Sequence, residues 1–460
     1  MKKKFMFLFP LVLIFSCGSE DNNVSEDSEN DLPIANVITI NENISYQTMD
    51  GIGANCYAFP FADAANWSWD DVKYVFEEID LQYIRLASWF SHWESENDNN
   101  DPNTLNLNSE AFDPLNIIKD HDLGFARFLQ SRNIEIMLGI WGPASWLANG
   151  DPKMIAEEDY DELGESIASY LLYMKQNGVT FAMTEVQNEP TITAQVKYPG
   201  GTALTKAAVE VIAQLNKYGF NDVMLHGPNL HSPSNTISWA QPMMANETVK
   251  DRIKAISYHT WWVANPQEYI DIANYAAEAG KPVWATEVGF CALKEGCNLS
   301  GEQHYLRPET WSTAWDYANS YYRAIIHSKA SRVYHWSLLG HDAIVGKNGE
   351  KLPSYYIFKQ FANFIPPQSQ VIEASANDTD VLPMIFKLAD GSFSGVIINK
   401  SKTEAKRIQI KAGNQVFTAE EVVNNKENEY DQLLDPILQD NTLDYTLPAR
   451  SITSIRFSKK

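Results

Sequence analysis

Two glutamates stand where chemistry can be done. Asn188-Glu189-Pro190 and Thr286-Glu287-Val288 each close a short β-rich run. Two carboxyls on different strands suit a reaction in which one group holds a proton while the other stays ionised. Glycosidic cleavage is such a reaction. One carboxyl protonates the leaving oxygen, and the other attacks the sugar or activates water. Spacing decides the outcome: roughly 5–5.5 Å between the carboxyls gives retention, roughly 6.5–9.5 Å inversion. Either glutamate alone reads as an ordinary surface residue, so the pair carries the signal. Glu185 shares a run with Glu189, lies deeper, and reads as a structural residue or a partner to a charge such as Arg85. No His/Cys cluster has zinc-ligand spacing, so neither a metal nor an organic cofactor is expected.

The elements that must position these residues alternate along the chain. Short β-rich runs fall at 51–55, 83–86, 135–141, 183–189, 223–228, 255–262, 282–289 and 333–339. Helix-like stretches such as 165–177, 203–218 and 266–279 lie between them. This alternation predicts parallel βαβ units. Eight units over some 290 residues suit a (β/α)8 TIM barrel, whose chemistry sits at the C-terminal ends of its strands. A doubly wound sheet is the alternative, but no Gly-rich phosphate loop follows the first strand. After Pro366-Pro367 helical periods vanish and short apolar runs recur between turn residues, which reads as an all-β side sandwich. The strand-like segment 34–48 is expected to join it, so the sandwich is built from both termini. The expected divisions are a signal peptide at 1–16, an acidic tether at 17–33, the joining strand at 34–48, the barrel at 49–350 and the sandwich at 351–460.

With 460 residues, 44% hydrophobic and 21% charged, the composition is that of a soluble globular protein of two or three domains. A net charge of -23 argues against a basic patch for nucleic acid or anionic lipid. The 13 Trp, 21 Tyr and 21 Phe include rings that could line a sugar site, though most belong in a core this large. A monomer acting on an oligo- or polysaccharide is expected.

The N-terminus reads as a targeting segment. Lys2, Lys3 and Lys4 precede an apolar run, 5–15, too short to span a bilayer. It ends in Ile14-Phe15-Ser16-Cys17-Gly18, which resembles a bacterial lipobox with Cys17 as the lipidated residue. The acidic Gly18-Ser19-Glu20-Asp21 that follows resembles a surface-export tag of Bacteroidetes lipoproteins. An exported outer-membrane lipoprotein, touching the membrane only through its lipid, is expected. Cys291 and Cys297 are close enough in sequence to bridge or to remain free thiols, and Cys56 has no evident partner.

Taken together, the motifs resemble glycoside hydrolase family 30 from about Gln47 to Phe457. The resemblance rests on Asp50-Gly51-Ile52-Gly53-Ala54, Tyr83-Ile84-Arg85-Leu86, Trp141-Gly142-Pro143-Ala144-Ser145-Trp146-Leu147, the strand ending in Asn188-Glu189-Pro190, and Trp284-Ala285-Thr286-Glu287. The run YYIFKQFANFIPPQS from Tyr355 and the segment Leu447-Pro448-Ala449-Arg450-Ser451 extend it into the sandwich. It implies a retaining β-glycosidase with Glu189 as acid/base and Glu287 as nucleophile. It further implies that Asn188 meets the sugar 2-hydroxyl, Arg85 keeps the nucleophile ionised and Trp141 walls the site. The family often holds its nucleophile with a Tyr near the position of Trp261; here His259 or Tyr258 is expected to serve instead, His259 also reads as a buried structural residue, and His259 and Trp261 are counted with Arg85, Trp141, Asn188 and Trp336 as the expected substrate-binding residues. Trp336 is expected to form a sugar platform, as are Trp89, Trp93 and Trp262. Two other readings stand beside this one: a glycan-binding lipoprotein with a silent barrel, and a cellulase-like or arabinofuranosidase-like relative.

Overall fold

The computed structural model describes residues 36–57, 69–192, 196–261, 264–289, 310–339, 343–346, 348–434, 437–439 and 442–460. The targeting segment, Cys17, Cys291, Cys297 and Trp262 lie outside these. Strand β1 (Asn36–Thr48) is followed by β2 (Gly51–Tyr57), β3 (Tyr83–Trp89), β4 (Glu135–Gly142), β5 (Met183–Thr184), β6 (Met224–Leu230), β7 (Ile253–His259), β8 (Val283–Val288) and β9 (Ala330–His335). Strands β2 to β9 pair in parallel, in chain order, and close into a barrel. Their residues are buried almost throughout, as they must be when helices cover the outside and side chains fill the inside. The helix Pro266–Ala279 shows how the sequence frames such an element. Asn265 and Glu268 form a capping box, Pro266 pre-sets the first turn, and Gly280 ends the helix at φ 68°.

The barrel interior is layered by the two-residue period of its strands. One layer is apolar and aromatic: Met137, Met183, Ala255, Trp284 and Tyr334, with Tyr83 and Met224 against it. Two residues further along β3, β6 and β7 stand Arg85, His226 and Ser257, joined by Glu185 just past the end of β5, all buried. A charged layer therefore lies directly above a hydrophobic one, at the C-terminal end of the barrel.

The remaining strands are β10 (Gln370–Ala376), β11 (Val381–Lys387), β12 (Phe393–Asn399), β13 (Lys406–Lys411), β14 (Phe417–Lys426), β15 (Glu429–Leu433), β16 (Ile437–Gln439), β17 (Thr442–Leu447) and β18 (Ile452–Lys459). With β1 they make one mixed sheet, ordered β15-β14-β18-β12-β11-β10-β1-β13-β17-β16. Phe417, Phe393 and Phe457 from one half share a core with Ile408, Ile410, Leu443 and Leu447 from the other, so the sheet curls over on itself. The architecture is a TIM barrel with an all-β side sandwich, as the sequence predicts.

One element departs from expectation. The run 183–189 keeps ladder pairing only at Met183 and Thr184. Beyond them side chains take over the neighbouring backbone groups. Glu185 Oε1 accepts from the Ile140 amide at 2.8 Å, and Gln187 Nε2 donates to the carbonyls of Ile140 and Trp141 at 3.3 and 3.2 Å.

Candidate active site

Glu287 sits near the end of β8, at a register irregularity. His259 of β7 pairs with Glu287 after a shift, and the pairing of β8 with β9 slips between Ala285 and Val288. Such irregularities re-aim side chains at strand ends. Glu189 follows the shortened β5 with φ 46°, a left-handed backbone that turns its side chain toward β7. One oxygen of Glu189, one of Glu287 and Nδ1 of His259 all lie within 4.8 Å of one another.

The two carboxyls have different partners. Arg85 Nη1 donates to Glu287 Oε1 at 2.8 Å, and Trp261 Nε1 donates to Oε2 at 2.6 Å. Glu189 Oε1 instead faces His259 Nδ1 at 2.8 Å. The proton in that contact is fixed by a chain of partners. Asn229 Nδ2 donates to Glu185 Oε2 at 2.8 Å, so Asn229 Oδ1 is the acceptor that faces His259 Nε2 at 3.1 Å. His259 Nε2 must then carry the hydrogen. Burial and the Arg85 charge hold the imidazole well below its usual pKa, hence neutral, which leaves a lone pair on Nδ1. Glu189 is the nearer of the two carboxyls and the one burial and Glu287 hold protonated, so its hydroxyl is the donor to His259 Nδ1.

The electrostatics agree. Burial, and next the charge of Glu287, push Glu189 well above the usual carboxyl range. Burial also pushes Glu287 up to about 7, against the pull of Arg85 and Trp261. Glu287 thus ionises first and Glu189 keeps its proton, the separation that assigns acid and base in a carboxyl pair. Among the described residues these two glutamates and His259 are also the one group of His, Cys, Asp and Glu with metal-ligand spacing.

Around them the aromatic residues form a wall. Trp141 stacks on Trp336 at 5.4 Å, and Trp261 meets Trp336 edge-on at 6.1 Å. The Arg85 guanidinium lies over the Trp141 ring at 4.2 Å. Asn188 is buried with its Oδ1 accepting from Arg85 Nη2 at 2.6 Å.

Several expectations need correction. Trp261 itself, not His259 or Tyr258, donates to Oε2 of Glu287 through its indole N–H. His259 Nδ1 lies 3.3 Å from Glu287 Oε2 but is closer to Glu189. Tyr258 points away, to Ser328 Oγ at 2.6 Å. Trp93 is a core residue among Phe112, Tyr170 and Tyr173, its Nε1 donating to Ser169 at 2.7 Å. Trp89 is half-buried, its ring packed beside Gly142. Cys56 is buried, with its thiol on the Tyr57 carbonyl. Sequence reasoning missed Asn229 and Asn55. Asn55 accepts from Arg85 Nη1 at 2.9 Å, and Asn229 joins Glu185, Thr286 and His259. The one trace of Asn229 is its place after Gly227-Pro228, where a left-handed residue (φ 62°) fits Asn.

No family model matches the chain, and no curated protein matches it. Solved structures do. A GH30 endoxylanase from Clostridium papyrosolvens C71 aligns with TM-score 0.72 at 16% identity, covering 92% of this chain and 100% of that one. The catalytic domain of GH30 xylanase C from Talaromyces cellulolyticus gives 0.68 at 17% identity, over 92% and 100% of the two chains. An endo-β1,6-glucanase gives 0.65 at 17% identity, over 92% and 94%. This chain has the GH30-like fold along almost its whole length.

Proposed function

We propose that the protein is a retaining β-glycoside hydrolase, with Glu189 as acid/base and Glu287 as nucleophile. The observation that carries this reading is the spacing: oxygens of the two carboxyls lie within 4.8 Å. Inversion needs room for a water between carboxyls roughly 6.5–9.5 Å apart, so oxygens this close favour retention. In the first step Glu287 Oε attacks the anomeric carbon while Glu189 gives its proton to the departing glycosidic oxygen. In the second, Glu189, now ionised, takes a proton from water. The water oxygen attacks the anomeric carbon and releases Glu287. His259 holds the Glu189 proton beforehand through its Nδ1 lone pair.

The substrate class we propose is an external β-linked glycan of glucan or xylan type. The fold neighbours that are xylanases and an endo-glucanase support it. Trp141, Trp261 and Trp336 supply the apolar wall a sugar ring would meet. Hydrolysis of β-1,3-, β-1,4- and β-1,6-linked glucans and xylans is the test. Glu287→Gln should abolish cleavage and leave binding intact, and NMR of the first product should show the retained anomer. Glu189→Gln should lower kcat by about 10²–10⁴-fold on poor leaving groups and much less on activated ones. Binding without cleavage by the wild type would overturn the enzyme reading. Because a proton occupies the Glu189–His259 contact, EDTA should leave activity unchanged. We also propose surface anchoring through Cys17; radiolabelled fatty acid should enter the wild type and not Cys17→Ala.

A further inference from the structure

Glu185 is a buried anion that the proposed reaction does not use. It takes most of Arg85. Arg85 Nη2 donates to Glu185 Oε1 and Oε2 at 2.6 and 2.8 Å, and Nε reaches Oε2 at 3.2 Å. Glu287 receives a single bond from Nη1. Glu185 is fixed from other sides too: by the Ile140 amide, by Asn229 Nδ2, and by His226, whose Nε2 lies 3.2 Å away. A buried ion pair is weak as a source of stability, since apolar residues of similar volume often do as well. The charge at this position calls for another account.

The proposed chemistry supplies one, and the inference rests on that reading. In the glycosyl-enzyme Glu287 is an ester and carries no charge. Arg85 is fully buried and, without Glu185, would then be an unpaired cation in a low-dielectric site, which is expensive. We infer that Glu185 is a positioning residue: the standing counter-ion of Arg85, which keeps the guanidinium neutralised and in place while the nucleophile's charge is consumed. Before reaction, the same arrangement rations the positive charge left for Glu287. With Glu189 protonated and His259 neutral, Arg85, Glu185 and Glu287 carry one net negative charge. Glu287 is therefore a less stabilised, more basic carboxylate than a simple Arg–Glu pair would hold. The groups facing Glu287 are Arg85 from β3, Glu185 and Glu189 from beyond β5, His259 from β7, and Trp261. Those facing Glu185 are Arg85 and His226, with the carboxyls of Glu287 and Glu189 acting on it through their charge.

The test is Glu185→Gln. The acid limb of kcat/KM should move down by about one pH unit or more, because Glu287 loses a like charge and gains more of Arg85, and a neighbouring Arg lowers a carboxyl by about 1–3 units. Trapping of the covalent intermediate by a 2-fluoro glycoside of the sugar found in the screen should slow at least about tenfold. Glu185→Asp keeps the charge and should restore the limb. A folded Glu185→Gln with reduced activity but an unmoved limb overturns the inference, as does Glu185→Asp behaving like Gln. If the wild type hydrolyses no glycan, the enzyme reading fails and carboxyl ¹³C NMR still decides the charge coupling: Glu287 must titrate lower in Glu185→Gln than in the wild type. If Glu185→Gln does not fold, the wild-type titration decides. Glu185 must stay ionised while Glu287 takes up its proton, and the reverse order overturns the inference.

Discussion

At Glu287 two donors act against burial, and one of them is an indole. Trp261 cannot ionise and can only donate, so its bond to Oε2 favours the carboxylate at every pH. Trp261→Phe removes that donor and keeps a ring against Trp336. A hydrogen bond to a charged group contributes about 1.5–3 kcal/mol. Its loss disfavours the charged form, so Glu287 should ionise at higher pH. The acid limb of kcat/KM should move up, opposite in direction to Glu185→Gln, with kcat/KM reduced about ten- to hundredfold below it. At this scale the sequence was legible where type and position coincide. A Glu closing a strand announces itself. Asn229 does not, because its importance lies in three partners brought to it from just past β5 and from β7 and β8. Glu185 could be paired with Arg85 from depth alone. That it would outbid Glu287 for the guanidinium was hidden, since it depends on side-chain angles no spacing reveals.

At the scale of the element, β4 makes the site by what it omits. A Cβ at Gly139 would fall 2.6 Å from the Trp141 ring and 3.0 Å from Arg85 Nε. Both neighbours are buried and stacked on each other, so neither can yield cheaply. Gly139→Ala should destabilise by about 1–3 kcal/mol, the usual range for overpacking. It should also lower activity by displacing Arg85. Denaturant unfolding and kcat/KM on the same preparation check both. Strand identity was readable from apolar runs and alternation, while strand ends were not. The run 183–189 has the composition of a strand throughout, yet Glu185 and Gln187 spend their side chains on the Ile140 and Trp141 backbone and end the ladder after Thr184. Polar residues in a β-rich run signal such a substitution only once their partners are known.

Over the whole molecule, acidity reaches inside as well as outside. Burial pushes Glu94 up to about 8 and Glu165 up to about 9, and Asp122 up to about 7. Glu165 stands near Asp98, Glu162 and Glu94, with no cation among the groups that shift it. The sign for stability follows from counting protons. Between its unfolded pKa, near 4.5 for the glutamates and 3.8 for Asp122, and its raised folded value, each group holds more proton in the folded chain than in the unfolded one. Stability is full below the unfolded value and falls as pH rises toward the folded one, by at most about 1.4 kcal/mol per pH unit for each group. Tm should therefore decline from about pH 5 to about pH 9. Glu165→Gln should flatten that decline and raise Tm at the alkaline end. The barrel and its sandwich were legible at this scale because alternation followed by a change of texture is a property of long stretches. This acid cluster was not, because it forms between a helix and a loop distant in sequence.

Strand β1 lies between β10 and β13, and its bond from Val37 N–H to Asn377 spans 340 residues. During synthesis this strand is made first and can be completed only near the end. Until then Ile38 and Ile40 have no core to enter, and both edges of the strand are open. The barrel can form meanwhile, but the sheet cannot zip from one end to the other. It must wait for its centre to be captured from both sides. Contacts this remote slow folding. A nascent chain of this protein therefore carries an adhesive strand through most of its own manufacture.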